Sequence, residues 1–515
     1  MNDIRPVEKP NPSTRAFTLC CLSIVVLGII LSFLSFRVGH EWGDDFALYI
    51  AQAESIVHCS VAKLKAQQAI TQTLSSEKPG PDFYPWGFPL LLSPVPLVFG
   101  DDLHAMKVYV YLFYLGALMV MYYLFKAQLS RNHLFLMMAV FATNPYFFVF
   151  KDNVLSDVPY LFFFLLLVKA IERFVIEKRF LWSAAYSYFS LGVLVFWSYF
   201  LRTQGIVLLI LLLIAQVVEY IRGGRRSFRE TLLSVIPTAV FLVLFLCVQC
   251  IIPASSYPDT FSWQEVGMIL WHNVQYYSTA LSEFFYYPIF AEKVHGIDIV
   301  MKTAYVCTVP VFLWGLWGTF RKDYLYGMVI LLSFAILLPL AFSNGLRYLF
   351  PAIPFYFYFF IVGLTSLQTK LKEKIPSLQQ LNLVYTILLP FLLYSVLCIS
   401  YLTVLFRTSL KTMQGPYEAT TEQLQHFIVA NTSSDELLVF HKPRIMRLLT
   451  GRNCILQNRF SSIRLLHHAL LLIDLRTEDP NQIGKGQVDS IVQAHIYPVI
   501  FQNDRYVAFG LDGTQ

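Results

Sequence analysis

The sequence predicts a polytopic α-helical membrane protein with a small α/β domain at its carboxyl end. Hydrophobic residues make up 56% of the 515 residues, and charged residues only 14%. A soluble domain does not need that much apolar surface. The apolar residues form about eleven segments, each roughly as long as a helix that crosses a bilayer. Residues 406–515, in contrast, have the composition of an ordinary soluble domain.

The first apolar segment, residues 17–36, contains no charged residue and fits one transmembrane helix. The other ten lie at about 105–125, 133–150, 158–171, 182–201, 205–221, 231–253, 303–320, 324–342, 348–366 and 381–405. Together they define a membrane module over residues 1–405.

The positions of the basic residues predict the orientation of these helices. Lysines and arginines recur in every second connection, on the same side as the basic amino-terminal tail. Such residues are typical of the cytoplasmic side of a membrane. We therefore expect a cytoplasmic amino terminus, an extracytoplasmic carboxyl terminus, and two long extracytoplasmic loops at 37–104 and 254–302.

Residues 406–515 combine helix and strand patterns. Residues 422–430 fit an amphipathic helix, and Pro443 stands where another helix can begin. Short strands are predicted at 436–440, 470–475, 497–501 and 506–511. This pattern indicates a small extracytoplasmic α/β domain.

Two adjacent carboxylates, Asp44 and Asp45, follow the first predicted helix. Neighbouring carboxylates raise each other's pKa, which is one way to make a general base. The alternative is that one of them only caps the helix that follows, where an aspartate is favoured. On that helix Asp45, Tyr49 and Gln52 would share one face.

Asp152, Asp157 and two arginines supply further charge on the predicted outer side. Asp157 is either a second acid of the site or simply the start of the next helix, with Pro159 in its first turn. Arg202 and Arg347 lie on the outer side, against the general distribution of basic residues. They either contact lipid headgroups or hold a phosphate, which a planar guanidinium binds through two oxygens.

Polar residues of the two long loops complete the candidate site. Lys78 and Tyr84 belong to the proline-rich and aromatic segment 78–89, and His272 lies among the aromatic residues of loop 254–302. We assign these residues, together with Tyr49 and Asp152, to the binding of substrate, a sugar or a lipid. The alternative for the second loop is an aromatic belt at the membrane interface.

Several short motifs resemble the GT-C class of polytopic glycosyltransferases, in particular the dolichyl-phosphate-mannose protein mannosyltransferases and the lipid A aminoarabinose transferases. The motifs are the acidic pair with Tyr49 and Ala51; Tyr84-Pro85-Trp86-Gly87-Phe88-Pro89-Leu90-Leu91-Leu92; Leu155-Ser156-Asp157-Val158-Pro159; Arg347-Tyr348-Leu349-Phe350-Pro351-Ala352-Ile353-Pro354; and, in the tail, Lys442-Pro443-Arg444 with Leu448-Leu449-Thr450-Gly451-Arg452. Each motif is short, but the motifs are distributed over nearly the whole chain. Their order and their common position on one predicted side of the membrane carry the resemblance.

The resemblance implies a GT-C fold and a sugar donor linked to polyprenyl or dolichyl phosphate. It also implies that the acid of the first outer loop is the general base. The usual pair in the family is Asp-Glu, whereas this chain has Asp-Asp. The spacing to Tyr49 favours Asp45 and the adjacency favours Asp44, so both remain candidates. Arg202 stands where the family often has a basic residue, and Asp157 where it often has a second acid.

These features predict a glycosyltransferase that moves a hexosyl or pentosyl unit from polyprenyl phosphate to a lipid, glycan or protein acceptor. The reaction would take place at the outer face of a bacterial inner membrane, as part of cell-envelope assembly. The sequence requires no cofactor, has no ligand set that demands the divalent metal of some family members, and indicates no nucleic-acid partner. The alternatives are a transporter or flippase of lipid-linked sugars and a non-catalytic membrane scaffold.

Overall fold

Apolar helices form most of the protein, and a five-stranded sheet lies near its carboxyl end. The computed structural model describes residues 12–223, 228–251, 266–286, 296–340, 345–375, 377, 380–484, 486–488, 491 and 496–511. Part of the predicted loop 254–302 therefore lies outside the described residues.

The helices are numbered in chain order. They are α1 (Pro12–Leu34), α2 (Asp45–Val57), α3 (Val61–Leu74), α4 (Gly87–Leu92), α5 (Pro94–Phe99), α6 (Leu103–Phe125), α7 (Arg131–Ala142), α8 (Pro145–Phe150), α9 (Asp157–Ile171), α10 (Ala184–Leu201), α11 (Ile206–Gly223), α12 (Phe228–Ile251), α13 (Val266–Ala280), α14 (Ile297–Thr319), α15 (Tyr324–Leu337), α16 (Ile353–Lys374), α17 (Leu383–Thr408), α18 (Ala419–Asn431), α19 (Pro443–Thr450) and α20 (Phe460–Ile463).

Seven helices of the described chain are long and apolar enough to cross a membrane, namely α1, α6, α10, α11, α12, α14 and α17. They correspond to seven of the eleven predicted segments. Since several apolar helices of this length do not fit a soluble protein, the chain is a polytopic membrane protein.

The other four predicted segments are also helical, but they are shorter, interrupted or less apolar. Residues 133–150 divide into α7 and α8 at Pro145, where the Asn144 side chain accepts hydrogen bonds from the first amides of α8. Helix α9 has 15 residues and α15 has 14. Helix α16 has 22 residues but lacks the apolar composition of the seven.

The sheet forms the core of the predicted α/β domain, with strand order β2-β1-β3-β5-β4. Strand β1 is parallel to β2 and β3, whereas β5 is antiparallel to β3 and β4. Leu438 and Leu470 face α18, and Val439 and Leu471 enter a second core on the other face. The strands are β1 (Leu437–Val439), β2 (Cys454–Ile455), β3 (Ala469–Asp474), β4 (Val499–Gln502) and β5 (Tyr506–Gly510).

Backbone pairing fastens this domain to the bundle. Val38 N donates to Lys411 O and Met413 N donates to Val38 O, both at 2.9 Å, so the chain that leaves α1 pairs with the chain that leaves α17. Farther on, Thr71 Oγ1 of α3 donates to Cys454 O of β2 at 2.8 Å. The domain therefore rests on the α2–α5 layer, and we call this end of the bundle the sheet side.

Helices α14 and α16 approach each other closely at two glycines. A Cβ atom on Gly315 would lie 2.0 Å from Phe359 O, and one on Gly363 would lie 2.1 Å from Val311 O. A side chain at either position would force the two backbones apart. Small residues at helix crossings are typical of membrane proteins, where close packing stabilises helix association.

We expect Gly315→Ala to lower the free energy of unfolding by about 1–3 kcal/mol, because the added methyl group overlaps a backbone carbonyl. Thermal unfolding of the detergent-purified protein measures this change. Gly318→Ala on the same helix is the matched control, since nothing lies within 4 Å of its Cβ position. Equal midpoints for the two variants would contradict the close crossing.

Candidate active site

The amino end of α2 places Asp45 within a group of hydrogen-bond donors. The Tyr84 hydroxyl donates to Asp45 Oδ1 at 2.6 Å, and Arg347 Nη2 donates to Asp45 Oδ2 at 3.0 Å. Asp45 is also the first residue of α2, where the helix dipole favours negative charge. All three features stabilise the ionised carboxylate.

Asp44 has a different partner, which comes from the carboxyl-terminal domain. Its side chain makes no capping hydrogen bond to α2. Instead, Arg444 Nη1 of α19 lies 3.6 Å from Asp44 Oδ2. Arg444 is only 2% exposed, and it also donates to the Tyr84 hydroxyl at 3.5 Å and to Pro81 O. Helix capping therefore does not account for Asp44.

Tyr84 is held against α2 by three residues of that helix. Gln52 Nε2 donates to Tyr84 O at 3.0 Å, and Tyr84 N donates to Gln52 Oε1 at 3.1 Å. The Tyr49 ring stacks on the Tyr84 ring with 4.6 Å between centroids. Because Asp45 bonds to the same tyrosine, the predicted shared face of Asp45, Tyr49 and Gln52 is confirmed.

A second acid and an arginine meet beside Tyr49. Asp157 lies in the first turn of α9, as predicted, and its side chain is 1% exposed. Arg202 Nη1, just after α10, lies 2.7 Å from Asp157 Oδ1 and donates to Ser156 Oγ at 3.0 Å. The Tyr49 hydroxyl lies 3.0 Å from the same Ser156 oxygen. Ser156 therefore connects α2 to the Arg202–Asp157 pair.

The Tyr348 ring contacts both arginines of the site. Arg202 Cζ lies 4.7 Å from the centroid of the ring, and Arg347 Cζ lies 5.5 Å from it. At these distances the ring can stabilise both guanidiniums through cation–π attraction.

These groups line one cleft with about 380 Å³ of empty space, counting its open mouth. The lining residues are Asp45, Tyr49, Tyr84, Pro85, Asp157, Arg202, Thr203, Gln204, Arg347 and Tyr348. Gln204 Oε1 is buried and accepts no hydrogen bond from the described part of the chain. The cleft thus offers cations for an anion, and hydrogen-bonding groups for a ligand rich in hydroxyls.

The two adjacent acids differ in their electrostatic surroundings. Burial raises the pKa of Asp45, but Arg347 and the Tyr84 hydroxyl outweigh that effect and bring the pKa below its ordinary value. Burial raises the pKa of Asp44 above its ordinary value, although Arg444 opposes the shift. Asp45 is therefore an ionised carboxylate at neutral pH, and it is the member of the pair that lines the cleft.

Six of the ten predicted site residues line this cleft, namely Asp45, Tyr49, Tyr84, Asp157, Arg202 and Arg347. Asp44 lies beside them, paired with Arg444. The remaining three lie elsewhere. Lys78 is exposed on the loop before Tyr84, His272 is exposed on α13, and Asp152 is buried in a separate charged cluster.

That cluster fixes the chain between α1 and the acidic pair. Arg37 donates to Asp152 from its backbone N at 3.1 Å and from Nε at 2.7 Å, and Lys151 Nζ donates to Asp152 at 3.2 Å. Burial raises the pKa of Asp152, but Lys151 and Arg37 outweigh it, so the pKa lies below its ordinary value. The geometry of Asp152 is that of a structural anchor.

Several residues that line or contact the site were not in the predicted set, among them Pro85, Ser156, Thr203, Gln204, Tyr348 and Arg444. Each belongs to a segment that carries a predicted site residue or a motif, so the segments were identified but not these side chains. Among the described residues, no group of three or more His, Cys, Asp or Glu side chains is arranged to hold a metal ion.

Comparison with solved structures assigns the fold. ArnT from Cupriavidus metallidurans in the apo state superposes with a TM-score of 0.57 at 11% identity, over 97% of this chain and 100% of that chain. The same protein bound to undecaprenyl phosphate gives 0.54 at 10% identity with the same coverage. The apo oligosaccharyltransferase from Archaeoglobus fulgidus gives 0.56 at 11% identity, over 88% of this chain and 69% of that chain. The sequence matches no family model, and a search of curated protein sequences finds no match. The chain has a GT-C-like fold.

We expect Asp152→Asn to lower the free energy of unfolding at pH 7 by about 3 kcal/mol, because it leaves two cations without their buried counter-charge. Since the folded-state pKa of Asp152 is depressed, its stabilisation is complete well above the ordinary pKa of about 3.9 and is lost as the pH falls below that value. The thermal midpoint of the variant should therefore approach that of the wild type in acid. Asp504→Asn, at an exposed position, is the control, and an equal loss in both variants would disprove the anchor.

Proposed function

We propose that the protein is a glycosyltransferase that moves one sugar from a polyprenyl-phosphate donor to a hydroxyl of a lipid, glycan or protein acceptor. One observation carries this proposal: a single cleft holds an ionised aspartate and two arginines. The fold supports it, because ArnT is an aminoarabinose transferase and was solved with undecaprenyl phosphate bound. The kind of sugar, hexose or pentose, is left to experiment.

Asp45 is the proposed general base. As the acceptor oxygen bonds to the anomeric carbon of the donor, the bond between that carbon and the phosphate oxygen breaks, and the acceptor proton passes to Asp45. A depressed pKa reduces basicity, but it ensures that the carboxylate is free of a proton when the acceptor arrives. Attack from the face opposite the phosphate gives inversion of the anomeric centre.

Arg202 and Arg347 are the proposed ligands of the donor phosphate. In the described structure they are paired with Asp157 and Asp45. Arg347 is 27% exposed on the cleft side, so a phosphate can reach it without unfolding the site. When the sugar departs, the two guanidiniums stabilise the charge that develops on the polyprenyl phosphate.

The cleft is proposed to face the non-cytoplasmic side of a bacterial inner membrane. Arg202 follows the last residue of α10, in the cleft. The basic residues Lys178 and Arg179 precede the other end of that helix. Because basic connections favour the cytoplasm, the sheet side would lie outside.

Asp45→Asn should reduce transfer by at least about a hundredfold, because the amide cannot accept the proton. Asp44→Asn should have a smaller effect, and the double variant should resemble Asp45→Asn. The assay measures release of free polyprenyl phosphate in proteoliposomes, from synthetic polyprenyl-phosphate hexoses and pentoses, with envelope extract as the source of acceptor. Asp504→Asn, at an exposed position, controls for effects of expression and purification on the measured activity. Asp45→Asn with more than a tenth of wild-type activity would remove the proposed base.

Arg202→Gln and Arg347→Gln should each weaken the binding of undecaprenyl phosphate by about tenfold, since each removes a charge-assisted contact. Native mass spectrometry of the detergent-purified protein measures this binding. Arg222→Gln, at an exposed position on α11, is the control. Lipid binding that is unchanged by both cleft substitutions would contradict the phosphate site. In the proteoliposome assay, movement of the sugar-linked lipid across the membrane without cleavage of the sugar–phosphate bond would favour a flippase.

A further inference from the structure

A second pocket lies on the sheet side, between α2 and α3 and under the end of α19. It contains about 650 Å³ of empty space, counting its mouth. Residues 51, 54 and 55 of α2 and residues 63, 64 and 67 of α3 line it at the spacing of one helix face, together with His58 and Ser60 from the connection between the two helices. Arg447 and the end of α19 close it. We call it the Arg447 pocket.

Arg447 is a buried cation that makes no close ion pair within the described part of the chain, although the charge of Asp44 acts on it from a greater distance. The residue is only 5% exposed. Its Nη1 donates to two neutral acceptors, Gln68 Oε1 at 3.3 Å and Thr71 Oγ1 at 3.2 Å. Burial and the neighbouring Arg444 lower the pKa of Arg447 to about 10, while Asp44 opposes the shift, so Arg447 stays charged at neutral pH. A buried charge that is not neutralised is costly unless a ligand supplies the opposite charge.

The rest of the pocket favours an anion as well. Lys63 and His58 line it from exposed positions, and Ser60 adds a hydroxyl. Glu54 is the acid among the lining residues. Burial, with Asp101 beside it, raises the pKa of Glu54 to about 7. Even when Glu54 is ionised, the two cations Arg447 and Lys63 outnumber it in the lining. The lining therefore carries a net positive charge.

Helix α19 connects this pocket to the cleft. Arg444 and Arg447 are one helical turn apart, and Arg444 reaches Asp44 beside the cleft, while Arg447 reaches the second pocket. Along α2, Asp45 and Glu54 are separated by roughly 14 Å, at 1.5 Å per residue. The two places therefore lie within the length of one extended molecule.

We propose that the Arg447 pocket binds a phosphate group carried by the acceptor, while its hydroxyl lies at Asp45. Phosphate fits because it offers three acceptor oxygens to a guanidinium, an ammonium and a hydroxyl. The assignment to the acceptor rests on the proposed function, whereas the anion site itself does not. Free phosphate and a phosphorylated headgroup share this chemistry, and the test separates them.

The probes are inorganic phosphate and a hexose 1-phosphate, titrated by calorimetry into the detergent-purified full chain. Lys63→Gln should weaken binding of both by about fivefold to tenfold, and the sugar phosphate should bind more tightly than the free ion. Lys65→Gln is the matched control, because Lys65 is exposed on α3 but does not line the pocket. Any phosphate that binds in the cleft contributes equally to both variants, so it does not affect the comparison between them.

Equal affinities in Lys63→Gln and Lys65→Gln would overturn the anion site, whatever the transfer assay gives. Tighter binding of inorganic phosphate than of the sugar phosphate would overturn its assignment to the acceptor. In the transfer assay, Lys63→Gln should need about five times more envelope extract for half-maximal rate, with an unchanged dependence on the donor. An unchanged dependence on the extract would also overturn that assignment. Loss of transfer with retained phosphate binding would count against the proposed function alone.

Discussion

Carboxylates that are partly or fully buried require cations, and this requirement organises the sheet side of the protein. Asp44 pairs with Arg444, Asp45 with Arg347, and Asp157 with Arg202. In each pair the two partners come from segments far apart in the sequence. Breaking such a pair is most costly where the carboxylate is fully buried, as at Asp157, so the pairs help to specify which segments meet. The loop 37–104, the bundle and the carboxyl-terminal domain are joined at one point by these contacts.

The same pairs prepare the cleft for chemistry. Two of the arginines each face a carboxylate, so they are kept charged and oriented in the cleft, at the proposed phosphate site. Tyr84 bonds to Asp45 and receives a hydrogen bond from Arg444, so the two adjacent acids share one neighbour while their pKa values shift in opposite directions. Different surroundings thus give two identical side chains different roles.

Sequence patterns predicted the secondary-structure elements better than the tertiary contacts between them. The apolar segments, the strands near 436–440 and 506–511, and the shared face of α2 all depend on local periodicity, which short stretches of sequence contain. Arg444 and Asp152 illustrate what local patterns omit. Arg444 reaches Asp44 only because the carboxyl-terminal domain docks on α3, and Asp152 is an anchor rather than a cleft residue because Arg37 folds back onto it. Both facts depend on tertiary packing, for which one sequence holds no direct signal.

The backbone pairing between Val38 and the segment after α17 has a consequence for how this protein is assembled. The first and the last membrane helices leave the bilayer as neighbours, and the final domain completes the charge balance at Asp44. During synthesis the loop that carries Asp44 and Asp45 can therefore reach its full charge balance only after the carboxyl-terminal domain has been made. Copies truncated before that domain would insert into the membrane with Asp44 lacking this partner.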